Sequence, residues 1–154
     1  MSRKINLVKG IIIALFLGMS LLKQSVSALT NNLLLQATQS NYNLNSEVNI
    51  DLRVNTSTSI SGLSVTVVFM SSQLEFITST DAGSEFPVLY AETPDQGTVT
   101  IVRARESGSV TGNRFVTTLK FKAISNTSNA VVEATGTANA NNSPLSLAKG
   151  SVSL

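Results

Sequence analysis

The chain contains no histidine, no cysteine and no tryptophan. Without histidine, a Ser-His-Asp triad, a Cys-His pair and the common zinc sites are excluded. The many serines have no base to activate them, so they belong to surfaces and turns. Without cysteine, no disulfide staples the domain and no lipid can be attached at a cysteine side chain. Small eukaryotic secreted domains often depend on disulfides, so a bacterial or archaeal exported domain is the easier fit. Without tryptophan, and with only two tyrosines, a broad aromatic platform for crystalline polysaccharide has little to be built from. Carboxylate pairs are the one common catalytic route left. Glu75, Asp81, Glu85, Glu92, Asp95 and Glu106 occupy the middle of the chain, spaced as scattered solvated acids. The expectation is a domain that is not an enzyme.

What is present begins with a targeting pattern. Arg3, Lys4 and Lys9 precede an apolar run of 13 residues, Gly10 to Leu22, and Val26-Ser27-Ala28 follows. This is a positive front, a short hydrophobic stretch and a small-residue cleavage site in the order of a secretory signal peptide. The run is shorter than the roughly 20 residues that span a bilayer, which disfavours an uncleaved anchor. A pilin-type leader normally carries an acidic residue just inside the mature helix, and none stands there. The chain therefore divides into a signal peptide, 1–28, and a domain of 126 residues, 29–154. A membrane association is expected only if the leader is retained.

Removing that leader reverses the charge. Four of the 11 Lys and Arg residues (Arg3, Lys4, Lys9 and Lys23) lie in it, leaving seven against nine Asp and Glu and a formal charge of −2. A nucleic-acid partner needs clustered basic surface. None is expected here.

The remainder reads as sheet. In EVNIDLRV, Val48, Ile50, Leu52 and Val54 alternate with Glu47, Asn49, Asp51 and Arg53, the period of a half-buried strand. SGLSVTVVFM repeats the pattern with Leu63, Val65, Val67 and Phe69 inward, leaving Val68 and Met70 on the wet face. In RFVTTLKFKA, Phe115, Thr117, Leu119, Phe121 and Ala123 share the inner phase, which puts Val116 outside. Weaker strands are expected over 32–38, 73–79, 86–91, 97–106 and 130–140, with Asn55 to Ser61 as a loop and Thr93 to Gly97 as a turn. LSLAKGSVSL changes phase, which a bulge near Lys149-Gly150 would reconcile. About nine short strands in one all-β domain predict a β-sandwich of jelly-roll topology.

Three surface features follow from this reading. Val68, Met70 and Val116, if brought together, make an apolar protein-contact face. Tyr42 and Tyr90 are the candidates for stacking on a sugar. Asp81, Glu85 and Asp95, in or near loops, offer the oxygen ligands that calcium prefers, without any calcium-loop signature; no cofactor is expected.

The strand pair and its link also carry a family resemblance. SEVNIDLRVNTSTSISGLSVTVVFMSSQLEFITS resembles the opening half of a cohesin domain. Ile60, Ser61, Gly62 and Leu63 match the start of that family's second strand, and Phe69, Leu74, Glu75 and Phe76 match its end. Ser71-Ser72 replaces the usual Asp-Pro of the link. GNRFVTTLKFKAISNTSNAVVEATGTA is similar to the family's later strands, with Phe121 at the aromatic position. The resemblance covers nearly the whole mature chain, mostly through packing positions. It implies a nine-stranded jelly roll and a non-catalytic module that recognises a dockerin-like or other extracellular protein. It carries no contact residues over. The expected role is thus an exported binding module, secreted or at the cell surface. A carbohydrate-binding module of the same fold and an adhesive surface domain that polymerises through its edge strands are the alternatives.

Overall fold

Alternating apolar residues build two facing sheets, because each strand buries one side and wets the other. The computed structural model describes residues 31–126 and 129–154. The targeting segment lies outside these residues. Nine strands follow in order: β1 (Asn32–Ala37), β2 (Glu47–Ile60), β3 (Gly62–Phe69), β4 (Leu74–Thr80), β5 (Val88–Asp95), β6 (Thr98–Ala104), β7 (Val110–Ala123), β8 (Val131–Ala140) and β9 (Ser143–Ser153). Their spatial order is β4-β7-β2-β1-β9-β8-β3-β6-β5. Every pairing is antiparallel except β1 with β9. The β4-β7-β2-β1 layer faces the β9-β8-β3-β6-β5 layer, and the parallel β1–β9 seam joins them along one side. This is the expected nine-stranded jelly-roll sandwich.

Most of the core comes from the predicted inner phases, with Val116, Tyr42 and Phe86 added and Phe115 only half-buried. Val48, Ile50, Leu52 and Val54 of β2 and Leu63, Val65, Val67 and Phe69 of β3 are buried, with Leu119 and Phe121 of β7. Phe121 meets Phe69 edge-on across the layers at 5.2 Å and Phe76 at 5.5 Å between ring centres. Each such pair contributes about 0.5–1.5 kcal/mol beyond the area it buries.

Bulges set the details that alternation does not. At the seam, Ala134 pairs with Gly150 but Gly136 pairs with Leu147, so β9 holds one extra residue at Ala148-Lys149. This is the predicted phase change: Leu147 and Leu154 are both buried. Glycine is required at 150 because a Cβ there would lie 2.5 Å from the Leu33 carbonyl oxygen of β1.

Three expectations are corrected. First, of the expected loop Asn55 to Ser61, all but Ser61 belongs to strand β2. Ile60 is fully buried, and the buried Thr56 hydroxyl donates to Asn31 Oδ1 at 2.9 Å or to the Thr58 carbonyl at 2.8 Å. A polar run can stay in a strand when its hydroxyls find partners. Second, Val116 is 1% exposed and belongs to the core. Leu52 pairs with Thr117 and Arg53 with Phe115, so Val116 is the extra residue of a bulge that turns its side chain inward. Third, the strand expected over 86–91 starts at Val88 and runs to Asp95, and Phe86 lies in the preceding loop, fully buried.

One charged group sits inside. The 97–106 segment settles with Val99, Ile101 and Arg103 inward, so the Arg103 side chain, 2% exposed, lies between the layers. It donates to Ser79 Oγ of β4 at 3.2 Å and to the Phe86 carbonyl at 3.4 Å, with Asp81 at 3.9 Å. Ser79 is also bonded to Glu92 of β5, through its hydroxyl and its N–H. Burial pulls the guanidinium below the ordinary arginine range, and Asp81 and Glu92 oppose that shift.

Candidate binding face

The two outer faces differ in chemistry. On the β4-β7-β2-β1 layer the outward residues include Glu47, Asp51, Arg53, Glu75, Lys120 and Lys122, arranged as neighbours on paired strands. Lys120 lies 3.5 Å from Glu47, and Thr118 donates to Asp51 at 2.7 Å. The Asn49 amide and Lys120 hold the Glu47 carboxyl below its usual range. This face is a solvated lattice of compensated charges, and such surface pairs add little to stability.

The β9-β8-β3-β6-β5 layer presents the contrast. The register places Thr135 of β8, Thr66 of β3, Thr100 of β6 and Thr93 of β5 in one row across four strands. Neighbours in such a row stand about 4.7–4.9 Å apart. The Thr66 and Thr100 hydroxyls share a hydrogen bond of 3.2 Å. The next row toward one end holds Ser146, Thr137, Ser64, Val102 and Ala91, and the row on the other side holds Ser151, Glu133, Val68, Thr98 and Asp95. Charge is sparse, and Glu133 is neutralised by Lys149 at 2.7 Å.

Each end of this face has its own character. At the end carrying the β3–β4 turn, Val68 and Met70 are exposed as predicted. Val131 of β8, also exposed, continues the same face and completes an apolar margin. Val131 was not singled out from the sequence, although the shared inner phase of Val132, Ala134 and Ala138 already leaves it on the outer face. Val116 contributes nothing to this surface. Its carbonyl accepts from Ser84 Oγ at 2.5 Å, and that of Phe115 accepts from Glu85 N at 3.1 Å, so the β4–β5 loop is laid over the bulge.

At the opposite end lies a shallow groove of about 420 Å³. Gly62, Ser64, Val102 and Ala104 form its floor, and Asn139, Asn142 and Pro144 form a wall at the β8–β9 turn. Tyr90 borders it. Leu89 pairs with Arg103 and Ala91 with Val102, so Tyr90 is the bulged residue of edge strand β5 and stands 71% exposed. Tyr42 is corrected: it is 6% exposed, part of the core, and its hydroxyl accepts from Gln39 N at 3.2 Å. Its ring is not available for stacking.

The candidate calcium ligands are not brought together. Glu85 pairs with Arg105 at 2.8 Å and with Arg114 at 3.6 Å, and Asp81 lies beside Arg103. Asp95 is at the far end of β5, opposite Thr98. Among the described residues no group of three or more acidic or other metal-ligating side chains converges.

The arrangement as a whole defines a jelly-roll β-sandwich with one charged face and one charge-poor, hydroxyl-rich face. More narrowly, the fold is that of the cohesin modules. The cohesin module of a family 33 glycoside hydrolase from Clostridium perfringens superposes with a TM-score of 0.72, at 11% identity over 80% of this chain and 93% of that one. The sixth cohesin of scaffoldin B from Acetivibrio cellulolyticus, solved with a Cel5 dockerin, gives 0.63 at 17% identity, over 81% and 99%. A non-cellulosomal cohesin from the archaeon Archaeoglobus fulgidus gives 0.62 at 10% identity, over 78% and 88%. No family model matches the sequence, and no curated protein does.

Proposed function

We propose that the chain is an exported, non-catalytic module that holds an extracellular protein partner on the outer face of the β9-β8-β3-β6-β5 layer. The observation that carries this is the exposed margin of Val68, Met70 and Val131 beside charge-poor rows of threonine and serine. Apolar side chains grouped on a rigid sheet favour docking, and methionine adapts to irregular partners. A dockerin-like partner is supported by the fold, since a cohesin of this fold was solved with a dockerin. The Arg3 to Ala28 pattern supports export and cleavage after Ala28. N-terminal sequencing of exported material tests that step, and an intact Met1 start would overturn it.

Polymerisation through sheet edges is less well supported. β4 is bulged at Ile77, and β5 is bulged at Tyr90 and contains Pro94. Bulges and proline are the devices that blunt edge strands.

The deciding experiment is capture of secreted and surface proteins by the purified protein, followed by titration of the captured partner. Met70→Asp with Val68→Asp is expected to weaken binding by at least tenfold, about 1.4 kcal/mol. Undiminished binding by that variant would remove the docking face from this end of the sheet.

A further inference from the structure

The groove beside Tyr90 is separate from the apolar margin, and it carries a second binding chemistry. We propose that it is a subsite for a neutral glycan residue, a pyranose stacked on the Tyr90 ring and hydrogen-bonded by Asn139, Asn142 and Ser64.

Four observations lead there. The Tyr90 ring is the one exposed aromatic bordering the groove, and a β-bulge holds it out of the ladder. A tyrosine ring offers a large, stiff apolar surface with few torsions to freeze. The polar side chains around it, Arg103 apart, are amides and hydroxyls, set among apolar ones such as Val102 and Pro144. Those of Ser64, Thr137, Asn139, Asn142 and Ser143 make no hydrogen bond to another described residue, so their donors and acceptors are free for a ligand. The lining is uncharged apart from Arg103, whose guanidinium is committed to Ser79 and the Phe86 carbonyl between the layers. A phosphate or carboxylate would find no cation on this wall. Finally, β3, β6 and β8 are paired on both sides, so the floor has no open edge for an extended peptide to join. Recognition there must run through side chains, and a polyol with one apolar ring face fits that requirement. The volume sits in the lower part of the range of about 300–1,000 Å³ typical of small-ligand sites.

The absence of tryptophan makes the test direct. Tyr42 is buried, so a ligand-induced change in tyrosine fluorescence reports Tyr90. The purified protein is titrated with methyl β-D-glucopyranoside, methyl α-D-mannopyranoside and N-acetylglucosamine, with glucuronic acid as a charged control, and amide shifts are followed by NMR. At least one neutral probe is expected to bind in the millimolar range and to shift Tyr90, Asn139 and Asn142. Tyr90→Ala is expected to weaken it about tenfold, and Tyr90→Phe less than about threefold. Met70→Asp is expected to leave it unchanged, which separates this site from protein docking. No binding of any probe at about 20 mM, shifts confined to other residues, or unchanged affinity in Tyr90→Ala would each overturn the proposal.

Discussion

Arg103 Nη2 donates to Ser79 Oγ at 3.2 Å, tying β6 of one layer to edge strand β4 of the other. The opposite side of the sandwich is closed by the β1–β9 ladder. This side, between edges β4 and β5, is closed by a buried cation and the loop that crosses it. Removing a buried charge's hydrogen-bonded stem leaves both a cavity and stranded polar partners. Arg103→Ala is therefore expected to cost about 2–4 kcal/mol, while Arg103→Met, which refills the volume, recovers most of that loss. Urea unfolding of the two variants measures the difference. Equal losses would mean that the charge rather than the packing holds this side.

The bulge in β7 predicts opposite fates for two valines that alternation places on the same kind of face. Val116 is buried and Val68 is exposed. Val116→Asp is expected to destabilise by about 3 kcal/mol or more, since it buries an unpaired carboxylate. Val68→Asp stays within about 0.5 kcal/mol. Chemical denaturation compares them, and similar midpoints would contradict the register.

The two tyrosines separate in the same way. Tyr42→Phe loses the hydrogen bond to Gln39 N and is expected to cost about 0.5–1.5 kcal/mol. Tyr42→Ala empties a core position and is expected to cost about 3–5 kcal/mol. Tyr90→Ala changes stability by less than about 0.5 kcal/mol. Acrylamide quenching should reach Tyr90 and spare Tyr42; two equally quenched tyrosines would refute the burial of Tyr42.

Gly150 tests the seam. A methyl group there meets the Leu33 carbonyl at 2.5 Å, a backbone atom that cannot swing aside. Gly150→Ala is expected to cost about 1–3 kcal/mol through strain. Hydrogen exchange on β1 and β9 should then rise more than on β3. A variant as stable as the parent would show that β9 can retreat from β1 without loss.

Much of this was legible in the residues. Val48, Ile50, Leu52 and Val54 could be assigned inward from period alone, as could Leu63, Val65, Val67 and Phe69. The phase change at Lys149-Gly150 announced its own bulge. Alternation puts Val116 outside, wrongly, because Phe115 and Val116 are both apolar and a single inserted residue decides which one turns in. Tyr42 lies between strands, where no period applies, and its burial depends on contacts made by distant segments. Arg103 defied a rule that keeps charge outside, and only Ser79 and the Phe86 carbonyl, remote in sequence, make its position tolerable. The groove beside Tyr90 needed the β5–β6 and β3–β8 registers together.

The parallel seam between β1 and β9 has a mechanical meaning. Because the two strands run the same way, tension applied at Asn31 and at Leu154 pulls them past each other along their length. The Asn32–Ala148 pair and the bond from Ala148 N to the Asn31 carbonyl at 2.8 Å are then sheared instead of peeled open. The seam is thus loaded in shear whenever the chain is pulled from both of these positions.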